Sequence, residues 1–203
     1  MQTTPLDTTE LGKLLGASGV PRAAGLHMSD IYEDLYHDLE PGRYAVKEGQ
    51  EPYPLHLAAA LGFVFEDLLE AALKARLTGM LHGQRPEPCS TVEGVTFSPD
   101  LVLEDERGPF LGEIKLKWMS SRHMPTKPGQ AFPPQFAKHL TQIKAYCYHL
   151  GLSRARLYVF FVNGDYAPPR PKFLGWDLEF APAELAETWA MLKSHAQHKG
   201  MLG

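Results

Sequence analysis

Three charged residues have the types and the spacing that metal-assisted chemistry on phosphate esters requires. Glu113 and Lys115 lie two positions apart in an apolar segment, and Asp100 lies thirteen residues before Glu113. Carboxylate oxygens are hard ligands that suit Mg²⁺ or Mn²⁺. Such an ion polarises a phosphoryl oxygen and generates hydroxide near neutral pH, while a lysine offsets charge that develops in the transition state. The three residues therefore predict a hydrolytic metal site.

A β-strand over Phe110–Trp118 would position Glu113 and Lys115. Alternation along a strand puts Glu113 and Lys115 on one face and Ile114 on the other. Asp100 stands at the start of the preceding strand, and strands joined by a hairpin lie about 5 Å apart. We therefore expect Asp100 and Glu113 to reach one ion. We also expect the apolar face to pack into the core and the charged face to lie at the surface.

The spacing alone has low specificity, because a solvated hairpin with a cross-strand ion pair gives the same pattern. However, Glu113-x-Lys115 is the only acidic-x-Lys triplet in the chain. A helix expected from about Gln135 to Leu150 carries Gln142 and Tyr146, which are one turn apart on one face. The acidic pair and this helix are therefore interpreted together.

These residues together resemble the PD-(D/E)xK nuclease superfamily. The positions that carry the resemblance are Pro99-Asp100, Glu113-x-Lys115 and Gln142-x-x-x-Tyr146. The third motif is similar to one in the branch that includes RecB-type nuclease domains, CRISPR-associated exonucleases and lambda-type exonucleases. In that branch a helix before the strands supplies another acidic or histidine residue, and Glu66 matches that element. The resemblance covers about half of the chain, from Leu55 to Val162.

The resemblance implies a role for each matching position. Asp100 and Glu113 would be metal ligands, with the carbonyl of Ile114 as a further oxygen. Glu66 would complete the ligand shell or hold a water on the metal. Lys115 would position the attacking water or stabilise the pentacovalent phosphorus.

The helix that carries the third motif has implied roles as well. Gln142 and Tyr146 would orient the site and touch the DNA backbone, and Lys138 and Lys144 could bind phosphates. Members of the superfamily with an iron–sulfur cluster carry four cysteines. This chain has two, so no iron–sulfur cluster is expected.

Charge is distributed unevenly along the chain. The net charge is −4, yet residues 114–164 contain no Asp or Glu and carry a charge of +8. A nucleic-acid partner is expected to meet such a local positive face. We therefore predict that Lys117, Arg122 and Lys127 contact DNA, the last two from a proline-rich loop over Met119–Pro134 that would act as a flap. A chance run of cations on a mixed surface is the alternative.

The order of elements predicts an α/β (mixed α+β) fold with a restriction-endonuclease-like core, in which helices flank a central mixed β-sheet. Residues 1–50 read as an N-terminal helical extension, and residues 51–203 as the nuclease core of a single compact domain. Strands are expected over Val92–Phe97, Leu101–Glu104, Phe110–Trp118, Arg156–Val162 and Phe173–Phe180. A helix is expected over Leu55–Leu77, because Leu57, Leu61, Val64 and Leu68 repeat at helical spacing.

Composition excludes several classes of protein. With 44% hydrophobic and 22% charged residues, the chain of 203 residues is neither disordered nor collagen-like. No apolar stretch is long enough to cross a bilayer, and no secretory signal is visible at the N-terminus. Two cysteines without support for a disulfide fit a reducing cytoplasm. DNA is the expected partner, and no membrane is.

The sequence thus predicts a Mg²⁺- or Mn²⁺-dependent deoxyribonuclease, most simply an exonuclease in DNA recombination, repair or phage DNA metabolism. An endonuclease of the same fold, such as a junction resolvase or a restriction-type enzyme, is one alternative. A catalytically silent DNA-binding or assembly protein is another. A homo-oligomer or a recombination partner protein is compatible with the pattern.

Overall fold

The computed structural model describes residues 24–44, 60–69, 71–72, 90–163 and 172–202. Four strands form the main sheet. They are β4 (Leu101–Asp105), β5 (Gly108–Lys117), β6 (Arg154–Phe161) and β7 (Lys172–Glu179). The sheet order is β4-β5-β6-β7, and β5 and β6 are parallel while the two outer pairs are antiparallel. The sheet is therefore mixed, as predicted.

A long helix makes the crossover between the two parallel strands. Helix α3 (Ala137–Leu150) follows β5 and precedes β6, and it ends at Gly151 in the left-handed conformation with φ +66°. Glycine adopts this conformation without the steric cost that a Cβ brings. The helix packs on the sheet together with α1 (Met28–Leu39) and α4 (Pro182–His198). The predicted fold class, a mixed α/β sheet flanked by helices, is confirmed.

The β4–β5 hairpin fixes the register of the charged residues. Leu101 pairs with Gly112, and Asp105 pairs with Gly108 at the turn. A Cβ built on Gly112 would lie 3.1 Å from the Cβ of Leu101, so the two strands approach closely where the hairpin opens. One step beyond the Leu101–Gly112 pair, the same register brings Asp100 opposite Glu113.

A second, smaller sheet corrects one predicted strand. Its strands are β1 (Leu26–His27), β2 (Ser90–Val92) and β3 (Val95–Phe97), in the order β1-β3-β2. The prediction of one strand over Val92–Phe97 is wrong, because Glu93 and Gly94 form a two-residue turn with φ of +52° and +82°. Positive φ at both central residues is typical of hairpin turns whose twist matches the flanking strands.

Helix α1 belongs to the main core of the described residues. Asp30 accepts a hydrogen bond from the backbone N–H of His27 at 2.9 Å, which ties down the first turn. Met28, Ile31 and Leu35 are buried in the same cluster as residues of α3 and α4. A short helix, α2 (Pro41–Tyr44), follows. The predicted domain boundary at residue 50 lies outside the described residues.

The opposite face of the sheet carries a second apolar cluster. Its buried members are Leu101, Leu103, Phe110, Ile114 and Tyr158. Residues 60–69 are helical, as predicted for this part of 55–77, and Phe65 and Leu69 pack against the cluster. The two ends of that predicted helix lie outside the described residues. Both faces of the sheet are thus covered.

The helical segment 60–69 does not meet the sheet with its aliphatic stripe. Leu61, Val64 and Leu68 repeat at helical spacing, yet they are 42%, 65% and 67% exposed. The ring of Phe65 stacks on Phe160 with centroids 4.4 Å apart. The large aromatic side chain, rather than the aliphatic periodicity, sets the orientation of the helix.

Two further observations concern membranes and cysteines. None of the described helices is long and apolar enough to cross a membrane. Cys147 is a buried free thiol, and burial, with a further contribution from the charge of Glu113, raises its pKa to about 12. Such a thiol is inert and serves packing. Cys89 lies outside the described residues.

Candidate active site

Strand β5 places Glu113 and Lys115 on the face of the sheet that α1 and α3 cover. Glu113 is completely buried, with 0% of its surface exposed, and Lys115 is partly buried. The prediction that this charged face lies at the surface is therefore wrong for Glu113. Leu111 precedes Glu113 on the same face and belongs to the main core, so the carboxylate is enclosed with it.

Asp100, Glu113 and Lys115 form one connected cluster. The Nζ of Lys115 makes an ion pair with Oε1 of Glu113 and lies 3.9 Å from Oδ2 of Asp100. Oδ2 of Asp100 also accepts a hydrogen bond from the backbone N–H of Ile114 at 2.8 Å. The side chain of Asp100 thus extends the β4–β5 ladder by one bond and is held beside the acid and the lysine.

Burial and neighbouring charge shift the protonation of this cluster. Burial, with the charge of Asp100 added to it, raises the pKa of Glu113 to about 8, against the opposing effect of Lys115. Burial acts to lower the pKa of Lys115, but Glu113 and Asp100 outweigh it and raise that pKa above its usual range. Lys115 therefore keeps its proton at neutral pH, and Glu113 depends on nearby cations to stay ionised.

Within the described part of the chain, one oxygen of Glu113 has no hydrogen-bond partner. Oε2 is buried and unsatisfied, whereas Oε1 is bound by Lys115. A buried carboxylate oxygen without a partner costs free energy unless a cation or a donor reaches it. Divalent cations with a preference for oxygen ligands fit this carboxylate oxygen and the neighbouring Asp100. The donor set therefore fits Mg²⁺ or Mn²⁺.

Glu66 belongs to a different element from this pair of carboxylates. It is half-buried on the 60–69 helix, which packs on the opposite face of the sheet from Glu113. Within the described part of the chain, Glu66, Asp100 and Glu113 do not form a group whose oxygens all lie within 4.8 Å of one another. Asp100 and Glu113 are brought together by the fold. A ligand role for Glu66 stays a prediction.

The Gln142–Tyr146 pair faces the site from α3. Both side chains are buried, and Nε2 of Gln142 donates to the hydroxyl of Tyr146 at 3.3 Å. Burial, with an added contribution from the charge of Glu113, raises the pKa of Tyr146 above its usual range. The Oε1 of Gln142 is buried and lacks a partner among the residues described. Tyr146 therefore lies within the electrostatic reach of Glu113, and Gln142 is hydrogen-bonded to Tyr146.

Sequence reasoning missed Tyr32 of α1. Its side chain is 7% exposed, and its pKa is raised by burial and by Glu113 and Asp100, against the opposing effect of Lys115. Tyr32 thus closes the site from the side of α1. Its position next to Ile31 and three before Leu35 in an amphipathic helix was the available signal, but no local pattern tells which element such a helix covers.

The predicted DNA-binding lysines have different surroundings. Lys138 pairs with Glu33 at 2.8 Å, and Lys144 pairs with Glu184 at 2.7 Å. Lys117 instead lies in hydrogen-bond contact with Nε2 of His139. The side chains of Arg122 and Lys127 are exposed on the loop after β5.

The loop over Met119–Pro134 is attached to the far edge of the sheet. The indole Nε1 of Trp176 on β7 donates to the carbonyl of Pro125 at 3.0 Å, and the rings of Phe132 and Trp176 meet edge to face at 5.3 Å. Two short 3₁₀ turns, Ser121–His123 and Pro134–Phe136, shape its ends. A DNA-contacting role for this loop stays a prediction.

Comparison with known proteins gives structural matches alone. No family model matches the sequence, and no curated protein matches it. Among solved structures, the protein designated SSO0001 is similar with a TM-score of 0.50 and 14% identity over 95% of this chain and 86% of that one. At this identity the similarity shows a shared fold.

An alkaline exonuclease (LHK-Exo) from Laribacter hongkongensis is also among the similar structures. Its crystal structure matches with a TM-score of 0.39 and 14% identity, over 93% of this chain and 90% of that one. Its complex with dAMP matches with a TM-score of 0.39 and 16% identity, over 95% and 97%. A TM-score of 0.39 is too low to establish a common fold.

Proposed function

We propose that this chain is a divalent-metal-dependent deoxyribonuclease that hydrolyses DNA phosphodiester bonds. The observation that carries the proposal is the wholly buried carboxylate of Glu113, with Asp100 beside it. One oxygen of this carboxylate is on Lys115, and the other has no partner among the described residues. A buried acid with a raised pKa beside a fixed lysine is typical of sites that perform chemistry. The resemblance to the PD-(D/E)xK motifs indicates that this chemistry is the hydrolysis of DNA.

The residues that would hold the cation are oxygen donors. Asp100 and Glu113 offer carboxylates, and the Ile114 carbonyl and Glu66 are the further ligands that the resemblance implies. When bound, Mg²⁺ or Mn²⁺ supplies Lewis-acid polarisation of the phosphate and activation of water. The net charge of the cluster makes such a cation favourable, since one lysine faces two carboxylates.

Lys115 would perform the electrostatic part of the reaction. Its Nζ bridges Glu113 and Asp100, and it remains protonated because both carboxylates favour the charged form. A fixed ammonium beside the phosphate stabilises negative charge as water attacks phosphorus and the ester oxygen leaves. Because the two strands already fix its position, little reorganisation is needed when that charge develops.

Asp100 and the α3 pair would orient these groups. Asp100 is held by the N–H of Ile114, which immediately follows Glu113, so a shift of either strand would move both carboxylates. Gln142 and Tyr146 form a hydrogen-bonded wall opposite β5. Exonucleolytic action and a role in recombination or repair are proposed on the resemblance of this helix to the branch that contains lambda-type exonucleases.

The test is cleavage of three DNA substrates by the purified chain. Linear double-stranded, linear single-stranded and covalently closed circular DNA are incubated with Mg²⁺, with Mn²⁺ and with chelator. Metal-dependent loss of linear DNA that spares circles is expected. Cleavage of circles would instead identify an endonuclease, and DNA binding without cleavage in any metal would identify a silent binding protein.

Two variants make this test specific to the site. Glu113→Gln keeps the shape of the side chain and removes its charge, and it should lower cleavage by orders of magnitude. Glu104→Gln makes the same change at an exposed position of the same hairpin and should leave cleavage unchanged. Cleavage that persists at the wild-type rate in Glu113→Gln would refute the assignment.

A further inference from the structure

Lys117 and His139 form a contact at the edge of the candidate site that the proposed chemistry does not use. Lys117 is the last residue of β5, and His139 lies in the first turn of α3. The ammonium of Lys117 is in hydrogen-bond contact with Nε2 of His139, and it lies 5.6 Å from the centroid of the Phe136 ring. His139 is 6% exposed, and its other ring nitrogen, Nδ1, is buried and finds no partner in the residues that the structure describes.

Lys117 has an uncharged partner, whereas five other cations of the basic segment 114–164 are paired with carboxylates. Ion pairs with carboxylates hold Lys115, Lys138, Lys144, Arg154 and Arg156. Burial and the neighbouring lysines 117, 115 and 138 lower the pKa of His139 well below its usual range, so the imidazole is neutral. Glu33, whose charge favours the protonated form of Lys117, is already paired with Lys138.

We propose that Lys117, held in place by His139, binds one phosphate of the nucleic-acid backbone next to the phosphate that Asp100, Glu113 and Lys115 would address. This inference rests on the proposed function and specifies how its substrate is positioned. Lys115 and Lys117 share one face of β5, where successive side chains are about 6.6 Å apart. Lys117 therefore reaches a neighbouring phosphate rather than the one at which Lys115 acts.

The neutral imidazole is suited to this positioning role. An ammonium has three donors, and one bond to Nε2 fixes its direction while the others stay available for a phosphate. A carboxylate in place of His139 would neutralise Lys117 and compete with the phosphate. Burial, together with the charges of Lys115 and Lys138, also disfavours the charge on Lys117, so an arriving anion would relieve a charge that the protein compensates poorly.

The test combines a protein variant with a substrate variant. Oligonucleotides carry a single uncharged methylphosphonate linkage at successive positions beside the cleaved bond. The wild type and Lys117→Met are compared with Lys193→Met, which changes a lysine on the distant helix α4. When the methylphosphonate lies at one linkage adjacent to the cleaved bond, the wild type should bind about tenfold more weakly, with a KM about tenfold higher. This is the size expected for the loss of a charged hydrogen bond. Its kcat should change little.

The expected signature is non-additivity. Lys117→Met should bind the unmodified oligonucleotide about tenfold less tightly and should be insensitive to methylphosphonate at that linkage, because the contact is already gone. Lys193→Met should behave as the wild type. Equal losses from methylphosphonate in wild type and Lys117→Met at every linkage would overturn the subsite.

Variants of His139 separate positioning from folding. Glutamine can accept a hydrogen bond from Lys117 without a charge, so His139→Gln should retain most of the affinity. His139→Asp should weaken DNA binding as much as Lys117→Met does. If both weaken binding alike, His139 acts through packing and the positioning role is wrong.

The outcome also stays separate from that of the proposed function. The same comparison is made by equilibrium binding in chelator, where no hydrolysis occurs. Coupling between Lys117 and one linkage in a chain that never cleaves DNA would support the subsite and refute the nuclease. Cleavage without coupling would support the nuclease and refute the subsite.

Discussion

Replacing Lys117 by methionine should change how the stability of the protein depends on pH. Burial, with the charges of Lys115 and Lys138, lowers the pKa of Lys117 from 10.5 to about 8 in the folded state. This shift of the pKa corresponds to at most about 3.5 kcal/mol, since each pKa unit is worth about 1.4 kcal/mol. Methionine keeps much of the apolar volume and removes the charge.

The sign follows from proton linkage. Below pH 8 Lys117 is charged in both states, and folding carries the full cost of burying that charge. Between pH 8 and 10.5 the unfolded chain binds the proton and the folded chain does not, so the contribution of Lys117 to stability rises with pH. The free energy of unfolding of Lys117→Met relative to wild type should therefore fall by about 2 kcal/mol between pH 7 and pH 9.5.

Urea denaturation followed by tryptophan fluorescence measures this difference. Loss of the Lys117–His139 hydrogen bond shifts the variant by a constant amount, because His139 is neutral throughout this range. The slope against pH is therefore the observable, and Lys193→Met serves as the control with an unchanged slope. Wild-type and Lys117→Met curves that run parallel from pH 7 to pH 9.5 would refute the reasoning.

Three further predictions concern other parts of the molecule. Saturating Mn²⁺ at pH 7.5 should raise the melting temperature of the wild type and leave that of Glu113→Gln unchanged, because a ligand that binds the folded state alone stabilises it by about 2.7 kcal/mol at 100 times its Kd. Differential scanning fluorimetry measures both melting temperatures, and equal shifts in the two proteins would contradict the prediction. Gly112→Ala should lower stability by about 1–3 kcal/mol in urea denaturation, since its Cβ would crowd Leu101 at 3.1 Å. The hydrogen bond from His195 at 2.8 Å lowers the pKa of Asp34 below 3.8, so this carboxylate contributes stability above that pH and loses it as the pH falls further; acid denaturation should show a smaller loss of stability below pH 4 in Asp34→Asn than in wild type.

The sheet and its crossover helix could be predicted from local patterns. Alternation along β5 and the turn residues before it place Glu113 two positions from Lys115 on one face, and the structure has this arrangement. Helix α3 ends at Leu150 as predicted, and Gly151 follows in the left-handed conformation that favours glycine. Patterns that repeat within ten residues report on the element that contains them.

The enclosure of the site depends on contacts between distant segments. Glu113 was expected at the surface, and it is buried because α1 covers the sheet from about eighty positions earlier in the chain. The pairing of Lys138 with Glu33 spans 105 residues. No local periodicity encodes such contacts, so neither the neutralised Lys138 nor the uncompensated Lys117 could be read from charge runs.

The exposed stripe on the 60–69 helix shows the limit of periodicity in another way. Leu61, Val64 and Leu68 have helical spacing, yet the ring of Phe65 determines which side meets the sheet. The aliphatic stripe and the aromatic ring lie on different sides of this helix, and only one side can pack on the sheet. The side with the aromatic ring packs there, because the ring buries the larger surface.

The unsatisfied polar atoms around the site bear on how the sequence could have evolved. Oε2 of Glu113, Nδ1 of His139 and Oε1 of Gln142 are buried without partners among the described residues, and each such atom costs about 1–3 kcal/mol. A typical domain has only about 5–15 kcal/mol of stability. Apolar substitutions at these positions would stabilise the fold, and a lineage released from selection for chemistry would accumulate them. The polar residues that remain lower the stability of the fold, and selection retains them where their atoms take part in the function.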